Sequence, residues 1–99
     1  MDQYQETEEA GVFSTKDLTL ASTLVSLKFL LTGFDIQYEG ENNRPSAYFK
    51  FEESERLSDA RRKYLQGLLM VEPKNFMQNV RSLKSEIENQ KRNPHNSQR

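Results

Sequence analysis

The chain contains no cysteine, which removes disulfides, thiol nucleophiles and thiolate metal sites together. Its single histidine, His95, stands in a polar stretch beyond the last apolar residue, Ile87. Structural zinc and histidine general-base chemistry are therefore not expected. Four scattered glycines cannot form a glycine-rich phosphate loop, and no HExxH or CxxC pattern occurs. No uncharged run approaches the roughly 20 residues of a membrane span, and the N-terminus is acidic where a secretion signal would be basic and then apolar. These absences point to a cytoplasmic protein that is not an enzyme, carries no cofactor and has no membrane partner.

What is present is a short apolar inventory, 34% of 99 residues, concentrated between Val12 and Ile87. A chain of this size supports one core. The expected organisation is a disordered acidic tail over residues 1–10, a single α+β domain over 11–92 and a disordered polar tail over 93–99, because neither tail carries enough apolar area to offset the entropy of ordering.

Within the domain, Val12–Ser14 reads as a short strand. Ser14 or Thr15 can cap a helix with Asp17 in its first turn. Apolar residues from Leu18 to Leu31 cover most of that helix, and Gly33 is a terminator. Phe34, Ile36 and Tyr38 alternate with polar residues, as do Ala47, Phe49 and Phe51, which gives a hairpin across a loop at Gly40–Pro45 whose role the sequence does not reveal. Ser54 caps a second helix bearing Leu57, Ala60, Tyr64, Leu65 and Leu68. Leu69–Val71 reads as a further strand, and Pro73 opens a third helix with a stripe of Phe76, Val80, Leu83 and Ile87. The order matches a ferredoxin-like βαββαβ arrangement plus a C-terminal helix, with a small antiparallel sheet of three to four strands and three helices.

The net charge of −1 conceals an asymmetry. Asp2, Glu6, Glu8 and Glu9 crowd the first ten residues without a base, whereas residues 73–99 hold six bases against Glu86 and Glu88. Lys74, Arg81, Lys84 and Lys91 recur along one side of the third helix, and Arg61, Arg62 and Lys63 cluster on the second. A basic helical surface of this kind fits nucleic-acid phosphates. It also fits a solvated face held by pairs such as Lys84 with Glu88, worth tenths of a kcal/mol each. Glu52, Glu53 and Glu55 form the densest carboxylate group in the domain, but adjacent residues leaving a strand diverge, which favours surface charge over a cation site.

Arg44–Phe51 resembles the third-strand motif of RNA-recognition modules in its basic start and its aromatics at Tyr48 and Phe51, with Pro45 in place of the motif's glycine. That resemblance implies a stacking role for Tyr48, with Phe13 as companion, and phosphate contact for Lys50 and Arg44. Asp35, Gln37 and Glu39 on the neighbouring strand would oppose it by repelling phosphate.

Phe13–Leu18, with its Thr-Lys-Asp helix start, the Phe49–Glu52 strand end, Val71-Glu72-Pro73 and Arg81–Lys84 together resemble a bacterial and prophage domain family of unknown function over about residues 12–88. The resemblance implies a fold and a source and is silent on chemistry. The leading expectation is a non-enzymatic accessory module that contacts nucleic acid through Arg61, Arg62, Lys74, Arg81, Lys84 and Lys91, with Tyr48 and Lys50 on the sheet. The alternative is a protein-interaction or homodimer module using apolar residues left over on the third helix, Phe76, Met77 or Ile87.

Overall fold

A computed structural model describes residues 6–9 and 11–92. It is α+β: β1 (Glu6–Glu9), β2 (Val12–Thr15), α1 (Leu18–Ser26), β3 (Leu31–Glu39), β4 (Arg44–Glu52), α2 (Glu55–Gln66) and α3 (Pro73–Arg92). The sheet is antiparallel in the order β1-β2-β4-β3. β2 and β3 are thus parallel to each other with β4 between them, joined by α1 as a crossover.

Register decides which side chains meet the helices. Phe13 lies opposite Phe51, Thr15 opposite Phe49, and Phe34 opposite Phe49, so these share one face. All but Phe34 are fully buried there with Leu20, Ala21, Leu24 and Leu57, and Leu83 of α3 closes the core. The Phe34 and Phe49 rings are tilted with centroids 5.4 Å apart. α2 and α3 each pack on α1 rather than on one another.

Local chemistry accounts for most boundaries. Ser54 Oγ accepts from the Leu57 amide at 3.0 Å to start α2, and Gly67, at φ 71°, ends it. Pro73 is the first residue of α3, where Glu72 Oε1 accepts from the Asn75 amide at 2.6 Å. The cap of α1 is Asp17, which accepts from the Leu20 amide at 3.1 Å, rather than Ser14 or Thr15. Those two residues are the end of β2, and Thr15 Oγ1 accepts from the Asp17 amide instead.

α1 is also shorter than its apolar run. It stops at Ser26 because Lys28 takes up the left-handed conformation, φ 76°, with its amide on the Val25 carbonyl and the Phe29 amide on the Leu24 carbonyl. Gly33 is needed for another reason: it lies inside β3 at a register irregularity, where a Cβ would meet the Lys50 side chain at 3.3 Å. A lysine in left-handed backbone costs about 1 kcal/mol relative to glycine. Lys28→Gly is expected to recover most of that, seen as a higher urea midpoint at unchanged m-value.

Three further differences matter. Glu6–Glu9, expected to be disordered, pairs with β2, because an open strand edge can satisfy backbone groups whatever the side chains. The hairpin loop is only Gly40 to Asn43, with Asn43 at φ 54° and its amide on the Gly40 carbonyl. Pro45 falls inside β4, tolerated because β2 pairs only with residues 49–52 of that strand. Leu69–Val71 is not a strand. The remaining residues of the two expected tails, 1–5, 10 and 93–99, lie outside the described residues.

Candidate interaction surfaces

The basic residues of α2 are largely engaged. Arg61 is half-buried, its Nη1 donating to Glu53 Oε2 at 2.8 Å while its guanidinium sits 4.2 Å over the Phe13 ring. Arg62 pairs with Asp59, which also takes Lys63 Nζ at 3.2 Å. Those two cations, Lys63 first, hold the Asp59 carboxyl below its ordinary pKa. Arg61 is therefore a structural strap from α2 to the sheet, and Arg62 is partly neutralised.

α3 differs. Lys74, Arg81, Lys84 and Lys91 are exposed and make no ion pair among the described residues. They spread over about 100° of the helix and roughly 26 Å of its length, with Glu88 inside that arc. α2 and α3 share α1 as a packing partner.

On the open face of the sheet, Lys50 lays its stem over Gly33, and Tyr48 is occupied. Its hydroxyl donates to Glu39 Oε2 at 2.5 Å, Lys16 Nζ donates to Glu39 Oε1 at 3.3 Å, and the same ammonium lies 5.7 Å from the Tyr48 ring. The bond to Glu39 pushes the Tyr48 phenol up to about 12, and chiefly the same bond holds the Glu39 carboxyl below its usual range. Phe13, the companion aromatic, is fully buried against the helices and cannot stack on a base.

The phenol bond has a pH signature. A folded-state pKa raised above 10 means that the interaction stabilises fully below about pH 10 and is lost as pH rises toward 12. The lowered Glu39 carboxyl adds stability that disappears as pH falls through its folded pKa. Ultraviolet titration is expected to show one phenol ionising near 12. That transition should vanish in Tyr48→Phe and move down toward 10 in Glu39→Gln.

Two other places were candidates. Among the described residues no group of three or more potential ligands could hold a metal, and in the Glu52, Glu53 and Glu55 group Glu53 is committed to Arg61 and to the Ser54 amide. A shallow pocket of about 180 Å³ lies between the end of α1 and the start of α2, with Arg56 stacked 4.4 Å over Phe29 at its side.

The feature that sequence reasoning misassigned is the α2–α3 connection. Leu65, Leu68 and Met70 are 69%, 63% and 87% exposed. After the Leu68 amide bonds to the Lys63 carbonyl, Leu69, Met70 and Val71 make no backbone hydrogen bond among the described residues. The result is an apolar segment outside any helix or strand whose backbone groups at Leu69–Val71 are unpaired among the described residues, a feature that chains normally cover. Of the apolar α3 residues, Met77 is exposed, Phe76 is half-buried, and Ile87 packs against the core. No described helix is long and apolar enough to cross a membrane. Comparison with family models, curated proteins and solved structures gave no match.

Proposed function

We propose that this protein is a non-enzymatic protein-interaction module whose contact surface is Leu65–Val71. The exposure of Leu65, Leu68 and Met70 in one continuous segment carries this reading. Isolated exposed apolar residues are ordinary, whereas three within six positions, the last in a stretch whose backbone is unpaired among the described residues, are the pattern of a strand or groove ligand. In the finer reading of the fold, β2-α1-β3 with β4 inserted is the first half of a ferredoxin-like unit, and Leu69–Val71 stands where its last strand belongs. The resemblance to bacterial and prophage domains fits an accessory role of this kind.

The test is a photoreactive side chain placed at Met70 or at Lys84 in cells of the host. The Met70 probe is expected to give a discrete protein adduct and the Lys84 probe none. A protein adduct from neither, or a nucleic-acid adduct from Lys84 alone, would refute the reading. The second outcome belongs to the alternative, nucleic-acid binding along α3, which Lys74, Arg81, Lys84 and Lys91, exposed and without an ion pair among the described residues, favour. That alternative requires affinity to fall steeply with salt.

A further inference from the structure

β1 holds an edge for which another segment of the chain is better suited. The four residues of β1 are Glu-Thr-Glu-Glu, poor strand formers with three like charges. They run antiparallel to β2, from Glu6 opposite Thr15 to Glu9 opposite Val12. Leu68–Val71 is apolar and belongs to no helix or strand; the Leu68 amide is held by the Lys63 carbonyl, and Leu69–Val71 have no backbone hydrogen bond among the described residues.

The elements on either side of that segment set its direction. Tyr64, in the last turn of α2, donates its hydroxyl to Asp17 Oδ2 at 3.2 Å, so the segment starts beside the Thr15 end of β2. Asn79, early in α3, donates to Ser26 Oγ at 2.9 Å. Ser26 closes α1, and the chain then enters β3 at Leu31, which pairs with Phe51 as Phe13 does. The segment therefore finishes toward the Val12 end, and its direction is the one β1 has.

We propose that the β2 edge is a second seat for Leu68–Val71 of the same chain and that β1 is a displaceable strand that keeps it closed. In the register of β1, Leu68 would lie opposite Thr15 and Met70 opposite Phe13, on the face that the helices cover. The two most exposed residues of the segment would then become the buried ones. Seating completes the sheet and withdraws the segment from solvent, so β1 bound means segment exposed, and β1 released means segment hidden. This rests on the topology and not on the segment having a partner.

Because the chain lacks cysteine, introduced pairs report cleanly. In the full chain, Ser14→Cys with Leu69→Cys is expected to form an intrachain disulfide under mild oxidation. Formation should be at least several-fold faster when Thr7→Pro weakens β1, whose Thr7 pairs with Ser14. Amide exchange in Thr7→Pro alone should slow about tenfold or more at Leu69–Val71. A Thr7→Cys, Ser14→Cys disulfide, which fixes β1 in place, should leave those amides in fast exchange. The proposal is overturned if the Ser14–Leu69 disulfide forms only between chains or not at all, or if the Leu69–Val71 amides stay in fast exchange in Thr7→Pro. Neither result depends on the adduct sought at Met70, so the two readings fail separately.

Discussion

Phe49→Ala is expected to lower stability by about 3–5 kcal/mol, the usual cost of emptying a large buried aromatic site. Phe49 has no exposed surface, sits on the central strand β4, and is opposed by Thr15 on one side and Phe34 on the other. No neighbour can fill its volume without breaking that register. A domain of this size has only about 5–15 kcal/mol in total, so the variant should lose a large share of its stability. Urea denaturation followed by circular dichroism checks this. Phe49→Leu, which keeps most of the volume, should lose less than half as much. If Phe49→Ala shifted the midpoint no more than Phe49→Leu, the core would not be centred on β4.

Ser22→Ala is expected to move stability the other way. Ser22 is fully buried in α1, and its hydroxyl has no hydrogen-bond partner among the described residues. Such a group costs about 1–3 kcal/mol, and alanine is also the better helix former. A gain of about 1–2 kcal/mol follows from those two terms. The neighbouring Ser26 provides the contrast, because its hydroxyl donates to the Ser22 carbonyl at 2.8 Å and accepts from Asn79 at 2.9 Å. Ser26→Ala should destabilise by about 1–3 kcal/mol, since the Asn79 amide loses its acceptor. A double-mutant cycle with Asn79→Ala should recover much of that loss. Equal effects from both serines would contradict the assignment of α1–α3 packing.

These two serines also show where the sequence could be read and where it could not. The Ser54 cap, the Gly67 terminator and the Pro73 start depend on interactions within one turn, and each is visible as a residue type at a fixed offset. Lys28 gave no such sign, because lysine seldom ends a helix in left-handed backbone, and the apolar run past it continued the helical pattern. The strands at Glu6–Glu9 and Leu69–Val71 were exchanged for one reason. Polarity marks which side chains want burial, while strand formation at an edge depends on which segment reaches free backbone groups first.

The same division applies to the surfaces. Asp59 at three and four residues from Arg62 and Lys63 signals a neutralised cluster in the sequence alone. The Arg61 bond to Glu53 joins the end of the sheet to α2, and only the packed structure brings those groups together. Tyr48 and Glu39 share the open face of the hairpin, which the alternation showed, but Glu39 lies opposite Arg44 and Tyr48 opposite Asp35, so their bond runs diagonally across the two strands and only the structure reveals it.

The surface reading turns on a contrast between apolar and ionic contact. Apolar burial survives salt, whereas contacts between exposed charges are screened within about 5 Å at roughly 0.5 M. The direct measurement is retention of the partner, after nuclease digestion and at about that ionic strength, by the native chain, by a Leu68→Asp, Met70→Asp variant and by a chain reversed in charge at Lys74, Arg81, Lys84 and Lys91. The native and charge-reversed chains are expected to keep the partner and the double aspartate variant to lose it with its melting temperature unchanged. Retention by the aspartate variant together with loss by the charge-reversed chain would contradict the account.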